Sequence, residues 1–219
     1  MAIKAMLVED DDFTRLMLSN TLKAQGLNLV YETASPALAL TEANKLRPHL
    51  AILDLHLGKG PTGIDLALAL RRNLPKIGIL ILTSFEDPRL LNPNLPSLPY
   101  GSVYLNKKQV TEIRVLTGAI ATCLDQNKWG GSAKSRVDSG SQLAGLNDTQ
   151  IEILRLMAQG YSNAEIAKRR FVTERSQETA ISRLAKLIGV SADSSKNQRV
   201  HMAKVYFRSL GIDLGRDDL

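Results

Sequence analysis

One cysteine, one tryptophan, aromatics at 5% and no long apolar run leave few classes of protein open to this chain of 219 residues. Cys123 alone cannot form an internal disulfide, which excludes a disulfide-stapled scaffold and fits a reducing compartment. No apolar stretch approaches the roughly 20 residues of a membrane helix. The amino-terminal MAIKAMLVEDDD runs from a strand-like segment straight into acids, unlike a signal peptide. The expectation is a cytoplasmic protein with no membrane contact. Histidine is scarce as well, and His49, His56 and His201 are scattered rather than spaced as a metal site. No independent catalytic constellation is visible, so the chain is not expected to be an enzyme.

What is present suffices for two packed cores, with hydrophobic residues at 44%. The net charge of +6 is unevenly placed. Residues 1–125 are nearly neutral, whereas the short span from Lys168 to Lys186 holds six basic residues against two acids. From Gly130 to Gly145 half the residues are Gly or Ser and no hydrophobic period survives, which reads as a flexible linker. Trp129, just before it, is expected to pack on the first domain. The division is therefore residues 1–126, a linker over 127–145, and a second domain over 146–219.

In the first part, short apolar runs alternate with helical patterns. Strands are expected at Ile3–Val8, Leu29–Glu32, Leu50–Leu53, Ile77–Leu82 and Val103–Leu105. Helices are expected from Phe13 to Ala24, from Pro36 to Arg47 and from Gly63 to Asn73. Val110, Ile113, Thr117, Ile120 and Leu124 recur at helical spacing and predict a closing amphipathic helix. Five strands alternating with helices indicate an α/β doubly wound, five-stranded parallel sheet of the flavodoxin-like kind.

The carboxyl ends of these strands carry the chemistry. LAILDLHLG, Leu50 to Gly58, is a buried run ending in Asp54 and followed by a glycine-rich loop. Glu9 and Asp10 follow the first strand, Thr83 ends the fourth and Lys107 follows the fifth. In a parallel sheet all lie on one edge, where open α/β folds bind ligands. Three acids packed together repel unless a cation sits among them, and a hard divalent ion with oxygen ligands suits them. Mg²⁺ is expected, held by Glu9 or Asp10, by Asp54 and by the main-chain carbonyl of His56. Asp54 then reads as a phosphate acceptor, with Thr83 and Lys107 holding the phosphoryl group.

The acidic pair in LVEDD, the acceptor in ILDLHLG, the threonine in ILTS and the lysine in VYLNK together resemble the receiver domain of a bacterial two-component response regulator. The resemblance implies phosphoryl transfer from a sensor histidine kinase to Asp54, with Tyr104 as an aromatic that changes position on activation. Two departures stand out. The loop LHLGKGPTG after Asp54 is a residue longer than usual and lacks the usual proline. In PRLLNPNLPSLPYG, Pro88, Pro93, Pro96 and Pro99 fall where the family has its fourth helix, so at most one turn near Arg89 to Asn92 is expected to be regular.

In the second part, Asn147 with Gln150 and Ser162 with Glu165 are spaced as capping boxes. Helices are expected over Asp148–Gln159, Asn163–Arg170 and from Thr173 to Ile188, the dimensions of a helix-turn-helix; a small helical bundle without a ligand is the alternative. The stretch from Leu146 to Val190 resembles the LuxR/NarL quorum-regulator class of DNA-binding domain, with GYSNAEIA and LIGV its most specific parts. The family usually has valine, lysine and histidine at the places of Gln177, Glu178 and Ala180. Gln177, Ile181, Leu184 and Ile188 share one face of the third helix and should turn inward. Arg175, Thr179, Ser182 and Lys186 should then face the major groove of double-stranded DNA, with Arg175 and Thr179 reading bases. Lys186, Lys168 and Arg169 suit phosphates, and Arg183 completes the candidate DNA-binding set. Farther on, Val200, Ala203, Phe207 and Leu210 form an apolar stripe that serves either its own domain or a homodimer on DNA. The expected function is phosphorylation-dependent transcriptional regulation. The rival is a phosphorylation-independent regulator or protein-interaction module, in which the prolines disable the switch; retention of every pocket residue argues against it.

Overall fold

The computed structural model describes residues 3–91, 95–125, 143, 145–190 and 197–212, which fall into two compact units. Among the described residues, no helix is long and apolar enough to cross a membrane.

The first unit is a five-stranded parallel sheet in the order β2-β1-β3-β4-β5. Its strands are β1 (Lys4–Val8), β2 (Asn28–Thr33), β3 (Leu50–Asp54), β4 (Gly78–Thr83) and β5 (Val103–Asn106). Helix α1 (Asp12–Ala24) joins β1 to β2, α2 (Pro36–Leu46) joins β2 to β3, α3 (Gly63–Asn73) joins β3 to β4, and α4 (Ile113–Leu124) follows β5. Right-handed crossovers explain the layers. The chain moves one way from β1 to β2 and the other way from β2 through β4, so α1 lies on one face and α2 and α3 on the other. Ala5, Leu7, Leu50, Ile52, Leu80 and Leu82 form one core with Leu18 and Leu22 of α1 and Leu116 and Ile120 of α4. The alternate residues Met6, Val8, Ala51, Leu53, Ile79 and Ile81 are as fully buried on the opposite face. Burial on both sides explains why β3 and β4 are apolar without alternation.

Helix starts follow local chemistry. The Asp11 carboxylate accepts from the Thr14 N–H at 2.7 Å, Ser35 caps α2 ahead of Pro36, and Thr62 and Asp65 form a reciprocal capping box on α3. Helix α2 stops at Arg47, which takes the left-handed conformation just before Pro48. The closing helix keeps part of its expected face, with Val110 and Ile120 buried and Leu124 packed on the core, but not Ile113 and Thr117. A 3₁₀ turn, Lys107–Thr111, capped by Asn106, takes Val110 out of the helix, and α4 restarts at Ile113 with its phase reset. Its buried stripe is Leu116, Ala119, Ile120 and Cys123, while Ile113 and Thr117 are exposed. Burial pushes the Cys123 thiol up to about 12, so it is an inert core residue that donates to the Ile79 carbonyl.

The second unit contains α5 (Asp148–Ala158), α6 (Asn163–Arg169), α7 (Glu174–Leu187) and α8 (Gln198–Ser209). The Asn147–Gln150 capping box forms in full. The second box forms by half: Ser162 accepts from the Glu165 N–H, but the Glu165 carboxylate goes to Arg169 instead. Leu143, inside the stretch expected to be linker, is already buried in this core. The rest of that stretch and Trp129 lie outside the described residues. Phe85 to Leu91 also belong to this unit, although the chain reaches them directly from β4. As the prolines imply, their regular structure is one 3₁₀ turn, Pro88–Leu90.

Candidate functional site

Strand register brings the chemistry of the first unit to one place. Val8 pairs with Leu53, Asp54 with Leu82 and Thr83 with Asn106, so the residues at and just beyond these ends share the carboxyl edge of the sheet. Glu9, Asp10 and Asp54 each offer a carboxylate oxygen, and these oxygens all lie within 4.8 Å of one another. The Lys107 ammonium reaches in from beyond β5, 3.0 Å from Asp54 Oδ2 and 2.6 Å from Glu9 Oε2. Thr83 is fully buried at the end of β4, and Tyr104 is buried on β5. The His56 imidazole stands at the exposed rim, 3.9 Å from Asp10.

Asp11 and Asp12 do not join the cluster: Asp11 caps α1, and exposed Asp12 pairs with Arg15. A residue the sequence reading passed over, Arg15, donates to the Glu9 carbonyl at 2.8 Å and holds the main chain beside the acids. Its signal was its place one turn into α1, facing back to the strand end.

The electrostatics are those of a partly buried acid cluster faced by one ammonium. Burial, then the charge of Asp54, pushes Glu9 up to about 7. Burial opposes the charge of Lys107, but Asp54 and Glu9 outweigh it and hold its pKa above that of an ordinary lysine. Glu9 Oε2 is buried and, apart from the ion pair with Lys107, has no hydrogen-bond donor. A donor set of three carboxylates whose oxygens lie within 4.8 Å of one another fits Mg²⁺.

A pH dependence follows. Protonated Glu9 and a divalent cation compete, so Mg²⁺ affinity should rise by up to about tenfold per pH unit below pH 7 and level off above it. Calorimetric titration should also show proton release on binding near pH 6; an affinity flat from pH 5.5 to 8 would contradict it. Without the ion the sign reverses. A carboxyl raised in the folded state favours folding while protonated, and that contribution is lost as pH climbs from about 4.5 to about 7.

In the second unit, α6 and α7 form the helix-turn-helix. The turn is made by Phe171, in the left-handed conformation and almost fully exposed, followed by Val172 and the α7 cap Thr173. Gln177, Ile181, Leu184 and Ile188 all turn inward as expected. At Gln177 the usual apolar contact is replaced by a hydrogen bond from Arg170 to Gln177 Oε1. Arg175, Thr179, Ser182, Arg183 and Lys186 are exposed along the outer side of α7, as are Glu178 and, on α6, Lys168. Arg169 is engaged already, paired with Glu165 and lying 4.0 Å over the Tyr161 ring, which suits it less for phosphate than Lys168. On α8 the core face is Met202, Val205, Tyr206 and Ser209. Of the apolar stripe beside it, Phe207 and Leu210 pack partly on the core, whereas Val200 is half exposed.

Comparison with known proteins agrees with this geometry. Residues 5–96 match the response regulator receiver domain, and residues 144–203 match the luxR family of bacterial regulatory proteins. The chain is 29% identical over 195 residues to the DNA-binding transcriptional activator DevR/DosR of Mycobacterium tuberculosis, covering 86% of this chain and 89% of that protein. It is 30% identical over 192 residues to the response regulator VraR of Staphylococcus aureus strain Mu3, covering 84% and 89% respectively. Among solved structures, RcsB, as two dimers bound to two parallel DNAs, superposes with a TM-score of 0.59 at 22% identity, covering 96% of this chain and 100% of that one.

Proposed function

The chain belongs to the response regulators that join a receiver domain to a luxR-type DNA-binding domain, and from that premise we propose that Asp54 accepts a phosphoryl group and thereby controls DNA binding through α7. The observation that carries this reading is the convergence of Glu9, Asp10, Asp54 and Lys107 at the carboxyl edge of the sheet. A sensor histidine kinase would present a phosphohistidine. An Asp54 oxygen attacks phosphorus, the new O–P bond forms as the P–N bond breaks, and the electron pair leaves with the imidazole nitrogen, which takes up a proton from water. The Lys107 ammonium and the Thr83 hydroxyl hold the transferred oxygens. Mg²⁺ would be held by Glu9, Asp10, Asp54 and the His56 carbonyl; bound there, it screens the acids from the incoming phosphoryl oxygens.

On DNA, Arg175 and Thr179, exposed in the first turns of α7, read base edges, while Lys186, Arg183 and Lys168 meet phosphates. The Thr179 hydroxyl donates to the Arg175 carbonyl, which leaves its oxygen as an acceptor toward bases. Exposed Glu178 stands where a basic residue is usual, so one phosphate contact is given up. Two-fold operators need paired domains, and Val200 with its neighbours on α8 is the candidate contact between copies.

The test is DNA binding with and without beryllofluoride at two salt concentrations. Arg175→Ala should cost about 1–3 kcal/mol on the specific site and relax base preference, and Lys186→Ala should weaken all sequences alike and lower the salt slope by about one. Equal losses on specific and random DNA for both variants would remove the assigned roles, and a chain indifferent to beryllofluoride would remove phosphoryl control.

A further inference from the structure

The amino edge of the sheet, opposite the acid cluster, holds a cavity of about 600 Å³ that lies wholly within the first unit. The links from α2 to β3 and from α3 to β4 line it, together with the last residue of α4 and the residue before β1. Its inner lining is aliphatic: Pro48, Leu74 and Ile77 are buried, and Ile3 and Leu124 are half-buried beside them. No aromatic ring lines it. Main-chain bonds set its shape, since the His49 N–H donates to the Lys4 carbonyl at 2.8 Å and the Ile77 N–H to the Leu74 carbonyl at 3.0 Å. A preformed apolar cavity of this size with a few polar groups is of the kind that takes a small organic molecule.

Every charged or titratable residue that lines the cavity is basic. Arg47, His49 and Lys76 are all exposed, which puts them at the mouth rather than the floor. The His49 ring is fixed by the main chain. Its Nδ1 accepts from the Lys4 N–H at 3.1 Å, so the proton of the neutral ring is on Nε2, which is left to donate. Arg47 lines the cavity from the left-handed conformation, with a φ of 48°, a place that suits glycine better than any long side chain. Cations beside helix C-termini complement the helix dipole, and Arg47 and Lys76 serve the ends of α2 and α3 in that way. The dipole, however, needs neither a cavity between the two cations nor a histidine donor beside them.

We propose that this cavity binds an aliphatic carboxylate, its head group held by Arg47, Lys76 and the His49 Nε2–H and its alkyl chain laid against Leu74, Ile77 and Leu124. Charge complementarity selects the head group. Three donors with no acid among the lining residues attract an anion, and a guanidinium takes a carboxylate through two parallel bonds. The walls select the tail. With no ring to stack on, a flat aromatic ligand gains nothing special, whereas an alkyl chain gains with every methylene it buries. The inference does not depend on the reading of Asp54, which lies at the other edge of the sheet.

The probe is decanoate, kept below its micelle-forming concentration and added to the full chain while amide shifts are followed by NMR. Shifts at Arg47, His49, Lys76 and Ile77 should saturate with a dissociation constant of about 1 mM or tighter. Decanol, which lacks the charge, and acetate, which lacks the chain, should each bind about tenfold more weakly or worse. Arg47→Gly should fold at least as firmly as the parent, because glycine suits the left-handed backbone, yet bind decanoate about tenfold more weakly. An arginine present only for the fold would give no such loss. Shifts that do not saturate at these residues overturn the site. Decanol binding as well as decanoate overturns the role of the basic mouth, and so does an Arg47→Gly chain with the parent's affinity.

Discussion

Asp54→Asn should take up no phosphoryl group from a small acyl phosphate with Mg²⁺, while folding as the parent does. The substitution keeps shape and removes the nucleophilic oxygen's charge, so the loss is of chemistry rather than of structure. Stability should stay within about 1 kcal/mol of the parent, because two effects oppose each other. Lys107 loses one of its two anionic partners, which costs. Glu9 is relieved of the neighbouring charge that helps to push it up to about 7, which gains. The relief has its own signature, since proton release on Mg²⁺ binding should shift to lower pH along with the fall in the Glu9 pKa. The checks are acid-labile phosphate per chain and thermal unfolding. Stoichiometric acid-labile phosphate in the Asn variant would transfer the acceptor role to another carboxylate, with Asp10 next in line.

What was legible in the sequence is what local rules dictate. A strand buried on both faces must be apolar throughout, so β3 and β4 declared themselves, and a parallel sheet then places everything that follows a strand end on one edge. That chain of reasoning located Glu9, Asp54, Thr83 and Lys107 without any knowledge of packing. The inward face of α7 was equally legible because helical period alone sorts Gln177, Ile181, Leu184 and Ile188 from Arg175 and Lys186.

The misses share a cause, which is that they depend on partners distant in sequence or on a break in period. The 3₁₀ turn before α4 resets its phase, so a stripe extrapolated from Val110 points the wrong way by the time it reaches Thr117. Glu165 had two partners at hand, the Ser162 backbone and Arg169 one turn on, and spacing does not say which it takes. The prolines between Pro88 and Pro99 told what the segment is not. Where it goes is decided by Leu146, Asp148 and Ser209, dozens of positions away, and nothing local in DPRLL encodes that destination.

Gly63→Ala should damage the site as badly as removing a site residue, although Gly63 offers no chemistry. The loop after Asp54 folds back so that the first residue of α3 lies against the end of β3, and the Gly63 N–H donates to the Leu55 carbonyl at 2.9 Å. A β-carbon at this position would lie 2.0 Å from the Asp54 carbonyl oxygen and 2.9 Å from its carbonyl carbon. Both are main-chain atoms of a central strand, so no flexible side chain can move aside, and either β3 shifts or α3 lifts. Overpacking of this kind costs about 3 kcal/mol or more. The displacement falls on the residue that carries the acceptor carboxylate, and a small misplacement at a reacting centre is expensive. Urea unfolding should therefore show the destabilisation, and phosphoryl uptake should fall by about 10²-fold or more even at temperatures where the variant stays folded. The neighbouring Gly60 supplies the control, since nothing lies within 4 Å of a β-carbon built there and only its positive φ of 127° resists a side chain. Gly60→Ala should cost about 1 kcal/mol through backbone strain and leave phosphoryl uptake intact. A Gly63→Ala chain as stable as the Gly60 variant, with uptake undiminished, would mean that the end of β3 is not braced by α3 and that Asp54 owes its position to the acid cluster alone.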